Sequence, residues 1–489
     1  TKRTPTYLNE ILKRFPDHMN DKGYFGVVYN DTICNEQQLA SHGWVLRGLC
    51  EYYLWKKDQA TLAMIKNVVK NLGLRTAGYH SKYPVDPEKR NHGGTHSGTS
   101  TQQQGNWILS TDTGCDHIFL DGLTQAYEIV PSPELEALIE EMIEVFFKID
   151  QVKIKAQTHA TLTALRALLR WYHVTGRKSL LTSVEEKFNL YKAEGMTENF
   201  ENYNWFGRPE WTEPCAVVDS YIVAVSLWRY TGNPVYLEDA HHIYYNGLAL
   251  EQRANGGFGI QSCSGSKNSA MIASTLEEAH WCCTMRGGEG LSRAAQYSFF
   301  TKGFNEIAVP FFQNAEVKLF FNSNAIKLKE ETGYPFSAKT TLTIIESEIV
   351  EPVTFHIFIP SWIEKVKLKV NGKTQAPSIT GSFLKVVINP KKGSVIEIDG
   401  KQKFFSQPVR GNNAIKGYTT FNAGPLILSY IGNEEISIPA KSSFTGTGNG
   451  IYKGTVNGKE IILKPLYHMM LPEVSHKAKY QSQVLFKQQ

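Results

Sequence analysis

Trp171-Tyr172-His173-Val174-Thr175-Gly176 and Trp228-Arg229-Tyr230-Thr231-Gly232 are two versions of one phrase, and their reading decides the fold. Each closes an apolar-periodic segment, 162–174 in one case and 216–230 in the other. Each is followed within a few residues by a second helical pattern, from Lys178 and from Pro234. A Gly just past the last periodic residue is a helix stop, because it takes the left-handed backbone conformation that lets the final carbonyls find donors. The repeated unit is therefore a long helix, a very short link and an antiparallel partner helix.

Outward from this phrase, 51–57 followed by 59–72 reads as an earlier copy without the Gly. In 36–57 the residues Leu39, Gly43, Leu46, Cys50 and Tyr53 fall at steps of three or four and form one buried stripe. The helical period runs from Glu36 to about Phe299. Hairpins repeated over such a length predict a helical solenoid or a closed ring of hairpins whose inner helices line a central pit. Two loop-rich insertions, 81–106 and 195–214, interrupt the pattern, and long loops inside a helical domain more often carry function than not.

After about residue 300 the period falls to two. Lys365-Val366-Lys367-Leu368-Lys369-Val370 alternates fully and runs into Asn371-Gly372, a strong hairpin signal. Phe355, Ile357 and Ile359 form another one-sided strand, and a second Asn457-Gly458 precedes Ile461-Ile462-Leu463. The expectation is a multidomain α plus β chain: a helical catalytic domain over 1–300, an antiparallel β-sandwich over 301–410, and a second β module, or completion of the sandwich, over 411–489.

The chain has 489 residues, 42% of them hydrophobic and 20% charged, enough for two or three domains with cores of their own. That excludes fibrous, collagen-like and disordered classes. The net charge of +5 is too small to argue for nucleic acid. The basic excess lies in 301–489, is almost all Lys, and includes Arg410 as the only Arg after residue 300, so it reads as a solvated strand surface. No apolar run approaches the ~18–20 residues of a membrane span, and no apolar signal-peptide core lies near the start. The first residue is Thr1, so the chain is read as processed or trimmed; a periplasmic or secreted location is expected, with the cytoplasm left open. Seven cysteines, an odd number without regular spacing, do not make a disulfide framework.

Chemistry concentrates in two segments, Trp211-Thr212-Glu213-Pro214-Cys215 and His280-Trp281-Cys282-Cys283-Thr284-Met285-Arg286. Three thiols and a carboxylate match the donor set of a tetrahedral zinc site; the competing readings are buried inert thiols or a strained vicinal disulfide. Both segments fall at predicted helix starts or loop ends. The insertion 195–214 adds Glu198, Glu201 and Glu210 among Tyr203, Trp205, Phe206 and Trp211, the mixture expected where a sugar stacks on rings while a carboxyl passes a proton. Its bland alternative is a surface loop of solvated glutamates. His42, His117 and His159 each lie early in a predicted helix; they are either satisfied core residues or groups that reach one pit and bond sugar hydroxyls. The Gly-rich pieces at 255–259 and 286–290 lack the G-K-[ST] ending of a phosphate loop and read as turns.

Glu213-Pro-Cys215, the Cys282-Cys283 pair, Glu198 upstream, the strand into Pro360-Ser361-Trp362, Val370-Asn371-Gly372 and Gly424-Pro425-Leu426 together resemble glycoside hydrolase family 127, whose type activity is β-L-arabinofuranosidase. The resemblance runs from about residue 36 to 430. It implies an (α/α)6 barrel followed by β-sandwich domains, and Zn2+ held by Glu213, Cys215, Cys282 and Cys283. It further implies Cys282 as nucleophile, Glu198 as acid/base with Glu201 in reserve, and His159, then His117, as substrate contacts. His42 and Tyr203 complete the expected sugar-binding set. The family commonly has Thr inside Glu-x-Cys and Pro-Pro after the double Cys, where this chain has Pro214 and Thr284-Met285-Arg286.

The resulting expectation is a zinc-dependent retaining glycosidase that removes a terminal sugar from a plant-type glycan, with a carbohydrate as its partner and an oligomeric state the sequence does not set. Zinc favours thiolate over thiol, and two displacements give net retention. The alternatives are a uronic-acid polysaccharide lyase of helical-toroid type and a non-catalytic carbohydrate-binding protein with structural zinc.

Overall fold

The computed structural model describes residues 4–92, 96–264, 269–274, 277–280, 282–322, 324–432, 434–471 and 481–488. The chain forms two compact units, one of Thr1–Gly195 with Tyr203–Glu210 and one of Met196–Asn202 with Trp211–Gln489.

The first unit begins with α1 (Thr4–His18) and then builds three helical hairpins. These are α2 (Glu36–Lys56) with α3 (Gln59–Asn67), α4 (His117–Tyr127) with α5 (Pro133–Lys148), and α6 (Thr158–Thr175) with α7 (Lys178–Glu194). Helices α2, α4 and α6 pack side by side, each against its own hairpin partner. Their faces explain the order: α4 and α6 are buried nearly all round, whereas α7 buries only Leu180, Val184, Phe188 and Tyr191. Helices α2 and α4 touch closely because Gly122 has no side chain; a Cβ there would lie 2.6 Å from the Gly43 carbonyl oxygen. The insertion at 81–106 is tied to the start of α2. Arg90 donates to the buried Glu36 carboxylate at 2.6 Å, and the Tyr83 hydroxyl donates to the same group.

The hairpin stops form as the repeated phrase predicts. Gly176 and Gly232 cap α6 and the later α8 (Pro214–Thr231) with φ of 69° and 73°. In the copy without Gly, Lys57 adopts the same left-handed conformation, φ 54°, and its N–H reaches the Tyr53 carbonyl at 2.7 Å.

The second unit carries α8, α9 (Val235–His242), the short α10 (Ala249–Glu251) and α11 (Cys283–Gln296), then changes to strands at Phe300–Lys302. A five-stranded and a six-stranded sheet pack face to face. Their core holds Ile307, Phe355, Ile357, Leu384 and Val386 from one sheet and Leu328, Leu342, Ile344, Leu368 and Ile396 from the other. The sandwich departs from pure antiparallel pairing once: Glu306–Val309 runs parallel to Val353–Phe358, because the intervening strands cross to the other sheet. A further sheet is built from Phe404–Pro408, Tyr418–Ala423, Leu426–Ser429, Lys459–Pro465, Ile451–Val456 and Thr445–Gly448, with Phe486–Lys487 joining Tyr418–Ala423, over a core that includes Phe421, Leu428 and Leu463. Both Asn-Gly pairs make tight hairpins in which both residues take positive φ, 50° and 74° at Asn371-Gly372 and 51° and 77° at Asn457-Gly458. Among the described residues no helix is long and apolar enough to cross a membrane.

Candidate functional site

Within the second unit two helices begin at one point. Glu213 is the N-cap residue of α8, with Pro214 as its first helical residue and Cys215 as its second. Pro fits that position because the first N–H of a helix has no intrahelical partner to lose. Cys282 is the N-cap of α11 and Cys283 its first residue. Trp281, quoted with them above, lies outside the described residues.

The sulfurs of Cys215, Cys282 and Cys283 all lie within 4.8 Å of one another. Cys282 Sγ is 3.8 Å from Cys283 Sγ and 3.9 Å from Glu213 Oε1. A vicinal disulfide is thus not formed, and all seven cysteines are free thiols. Two thiolates on one tetrahedral zinc, at about 2.3 Å each, stand ~3.8 Å apart, so the donor set and its spacing fit the ion. Burial, then the neighbouring sulfurs of Cys282 and Cys283, pushes the Cys215 thiol well above its ordinary value. A cation among the sulfurs would favour the ionised thiols against this burial, and the N-terminal dipoles of α8 and α11 favour the same anionic state.

Glu198 and Glu201 of the 195–214 insertion are buried, not solvated, while Glu210 is half-buried. Glu198 is 3% exposed and Glu201 0%. Their surroundings differ. Glu198 accepts the backbone N–H groups of Arg410 at 2.9 Å and of Gly411 at 2.7 Å, one on each carboxylate oxygen, so both oxygens are tied to the backbone at 410–411. Glu201 accepts from the Asn199 amide at 2.5 Å and from the Thr212 hydroxyl at 3.3 Å, and burial raises its pKa to about 8 against these bonds and the charge of Arg253. Asn199 is itself fixed by hydroxyl donors from Thr197 at 2.8 Å and Ser264 at 3.0 Å. Between the two glutamates Phe200 takes a left-handed φ of 64°, stacked 4.4 Å from His242 and with the Arg410 guanidinium 4.0 Å from its ring centre. Glu210 pairs with Arg208 at 3.0 Å.

The other sugar-binding expectations sit in the first unit. His42 uses both ring nitrogens locally, accepting from the Phe25 N–H at 2.9 Å and bonding the Gln38 carbonyl at 2.7 Å; burial lowers its pKa. His117 lies 2.8 Å from Asp116; burial opposes its charge, but the carboxylate outweighs burial and raises its pKa. His159 is buried early in α6 with its ring edge-on to Trp44. Tyr203 is 1% exposed, and its carbonyl accepts from Thr158.

Some of the partners went unnoticed in the sequence. Asn199 and Thr212 carried no motif, and Arg410 lies 212 residues from Glu198. Glu251 is fully buried, and its carboxyl oxygens have no hydrogen-bond partner among the described residues. Burial, then the charge of Glu201, pushes its pKa far up. The Gly-rich 286–290, read as a turn, lies inside α11 instead. Its helix start carries none of the usual capping residues, and Gly287 and Gly290 are there for close packing.

The chain resembles known proteins in one stretch of sequence and in its fold. Residues 306–400 match the family model of the β-L-arabinofuranosidase GH127 middle domain. A GH127 β-arabinofuranosidase structure superposes with a TM-score of 0.73 at 14% identity, covering 100% of this chain and 85% of the other. A GH127 β-L-arabinofuranosidase from Geobacillus stearothermophilus T6 gives 0.70 at 12% identity, covering 100% and 88%. A structure described as a glycoside hydrolase gives 0.73 at 14%, covering 99% and 88%. No curated protein matches the sequence. In sequence over its first sandwich, and in fold over its whole length, the chain is GH127-like, with a helical N-terminal part and β-rich C-terminal domains.

Proposed function

We propose that this GH127-like chain is a zinc-dependent retaining glycoside hydrolase of the β-L-arabinofuranosidase type, which removes a terminal sugar from a plant-type glycan. The observation that carries the reading is the cluster of Cys215, Cys282, Cys283 and Glu213 at two helix starts. Buried thiols with a carboxylate at metal-ligand spacing serve neither an elimination by Tyr and His nor simple packing.

Glu213, Cys215, Cys282 and Cys283 would hold Zn2+, which would supply a fixed positive charge favouring the ionised thiols at neutral pH. Cys282, the most accessible of the three, is the nucleophile: its sulfur displaces the glycosidic oxygen at the anomeric carbon and forms a thioglycoside. Glu201 protonates the departing oxygen and then takes a proton from the water that releases the sugar, giving net retention. Its environment supports this role, because burial raises its pKa to about 8 and only a carboxyl still protonated at neutral pH can act as the acid, while both oxygens of Glu198 are engaged by backbone N–H groups. Glu198 holds the loop that presents it.

Cys282→Ser tests the nucleophile. A serine hydroxyl stays protonated at neutral pH, so molecules of this variant that retain zinc should lose turnover of pentofuranosides altogether. Zinc-bearing Cys282→Ser with near wild-type turnover would leave the metal structural and point to a hydrolase in which a carboxylate, not a cysteine, attacks the sugar.

A further inference from the structure

The residues just after the double cysteine have so far no function. Helix α11 buries Cys283, Arg286, Gly287, Gly290 and Ala294 on one face. Arg286 is 3% exposed, and its guanidinium donates to the carboxylate of Asp219, which is fully buried on α8. The other guanidinium arm bonds Glu289, one turn further along α11. The register of this pair is what matters. Asp219 stands one helical turn after Cys215, and Arg286 one turn after Cys282 and Cys283, so the ion pair crosses between the two helices directly beneath the sulfurs.

Two further contacts fasten α11 in the same register. The Thr284 hydroxyl accepts the Phe258 N–H at 3.1 Å and lies 2.8 Å from the Glu278 carboxylate. Gly290 allows close approach to α8, since a Cβ there would meet Val218 Cγ2 at 2.7 Å; Gly287 likewise packs under the Phe258 ring. These are the positions where the sequence carries Thr284-Met285-Arg286 and the Gly-rich run. A buried ion pair of this kind adds little net stability, because desolvation offsets its attraction, while removal of one partner leaves the other charge buried and unpaired.

We propose that Arg286, through Asp219, is a positioning residue for the metal centre: it sets the spacing of α8 and α11 so that the three thiols and Glu213 meet at tetrahedral distance before the ion arrives. This inference rests on the zinc reading above and deepens it.

The test loads the full-length protein with Co2+, whose visible bands are intense in a tetrahedral thiolate site and weak in a distorted one, and follows zinc loss to a chromogenic chelator. Arg286→Leu should bind zinc about 10–100-fold more weakly and give weaker cobalt bands. Arg286→Lys keeps the charge and one bond but not the two-armed contact, and should fall between Leu and wild type. If Arg286→Leu does not fold, Arg286→Lys decides by the same two readouts. A folded variant with wild-type cobalt bands and wild-type zinc loss overturns the positioning role alone. Folded wild-type protein that takes up neither ion overturns the zinc reading and this inference with it.

Discussion

A carboxyl group can donate a proton at neutral pH only if its surroundings penalise its charge, and the buried site of Glu201 does so. Burial holds Glu201 protonated up to a pKa of about 8, whereas both oxygens of Glu198 are taken up by the backbone N–H groups of Arg410 and Gly411. With Glu201 as the acid, kcat/KM falls as pH rises through about 8, because the active form is the protonated one. Glu201→Gln should remove that limb and slow glycosides with poor leaving groups by ~10²–10⁴, while activated aryl glycosides lose far less. Glu198→Gln should slow both classes alike and cost about 1–3 kcal/mol of stability, since an amide nitrogen then faces a backbone donor. The reverse pattern would give the acid role to Glu198. The sequence reading puts Glu198 first and Glu201 in reserve; it cannot see the buried partners that distinguish them, since Arg410, which bonds Glu198, lies 212 residues away with no motif of its own.

The helical hairpins were legible because their stop signal is chemical. Glycine caps Gly176 and Gly232 take the left-handed conformation without cost, and Lys57 takes it at a cost of about 1 kcal/mol. Lys57→Gly should therefore raise stability by about 0.5–1 kcal/mol in denaturant titration, with turnover unchanged; an unchanged or lower midpoint would mean that Lys57 makes a compensating contact. The Asn-Gly hairpins were legible for the same reason, since both residues of each turn need positive φ. Helix α11 was not. Its glycines suggest a turn by local propensity, and only the approach of Phe258, Val218 and Leu248 makes a helix of them. Long-range packing outweighed the local signal there.

At the scale of the molecule, the switch from helical to alternating period marks where strands take over, near residue 300, and the paired thiol segments mark the site. The division of the 195–214 insertion was not readable: Met196–Asn202 joins one compact unit and Tyr203–Glu210 the other, with Gly195 packed against Tyr191, Phe206 and Thr158. That division leaves Glu198 and Glu201 in the unit that holds Glu213 and the three thiols. The mechanism proposed for this chain has Cys282, and not a carboxylate, attack the sugar. It is tested most directly by treating the zinc-loaded protein with an arabinofuranose-configured electrophile aimed at the anomeric position and mapping the adduct by peptide mass spectrometry. One equivalent of label on Cys282, none on Cys283, and loss of turnover in proportion is the predicted result. Label on Glu198 or Glu201, or full inactivation with Cys282 unmodified, would contradict it.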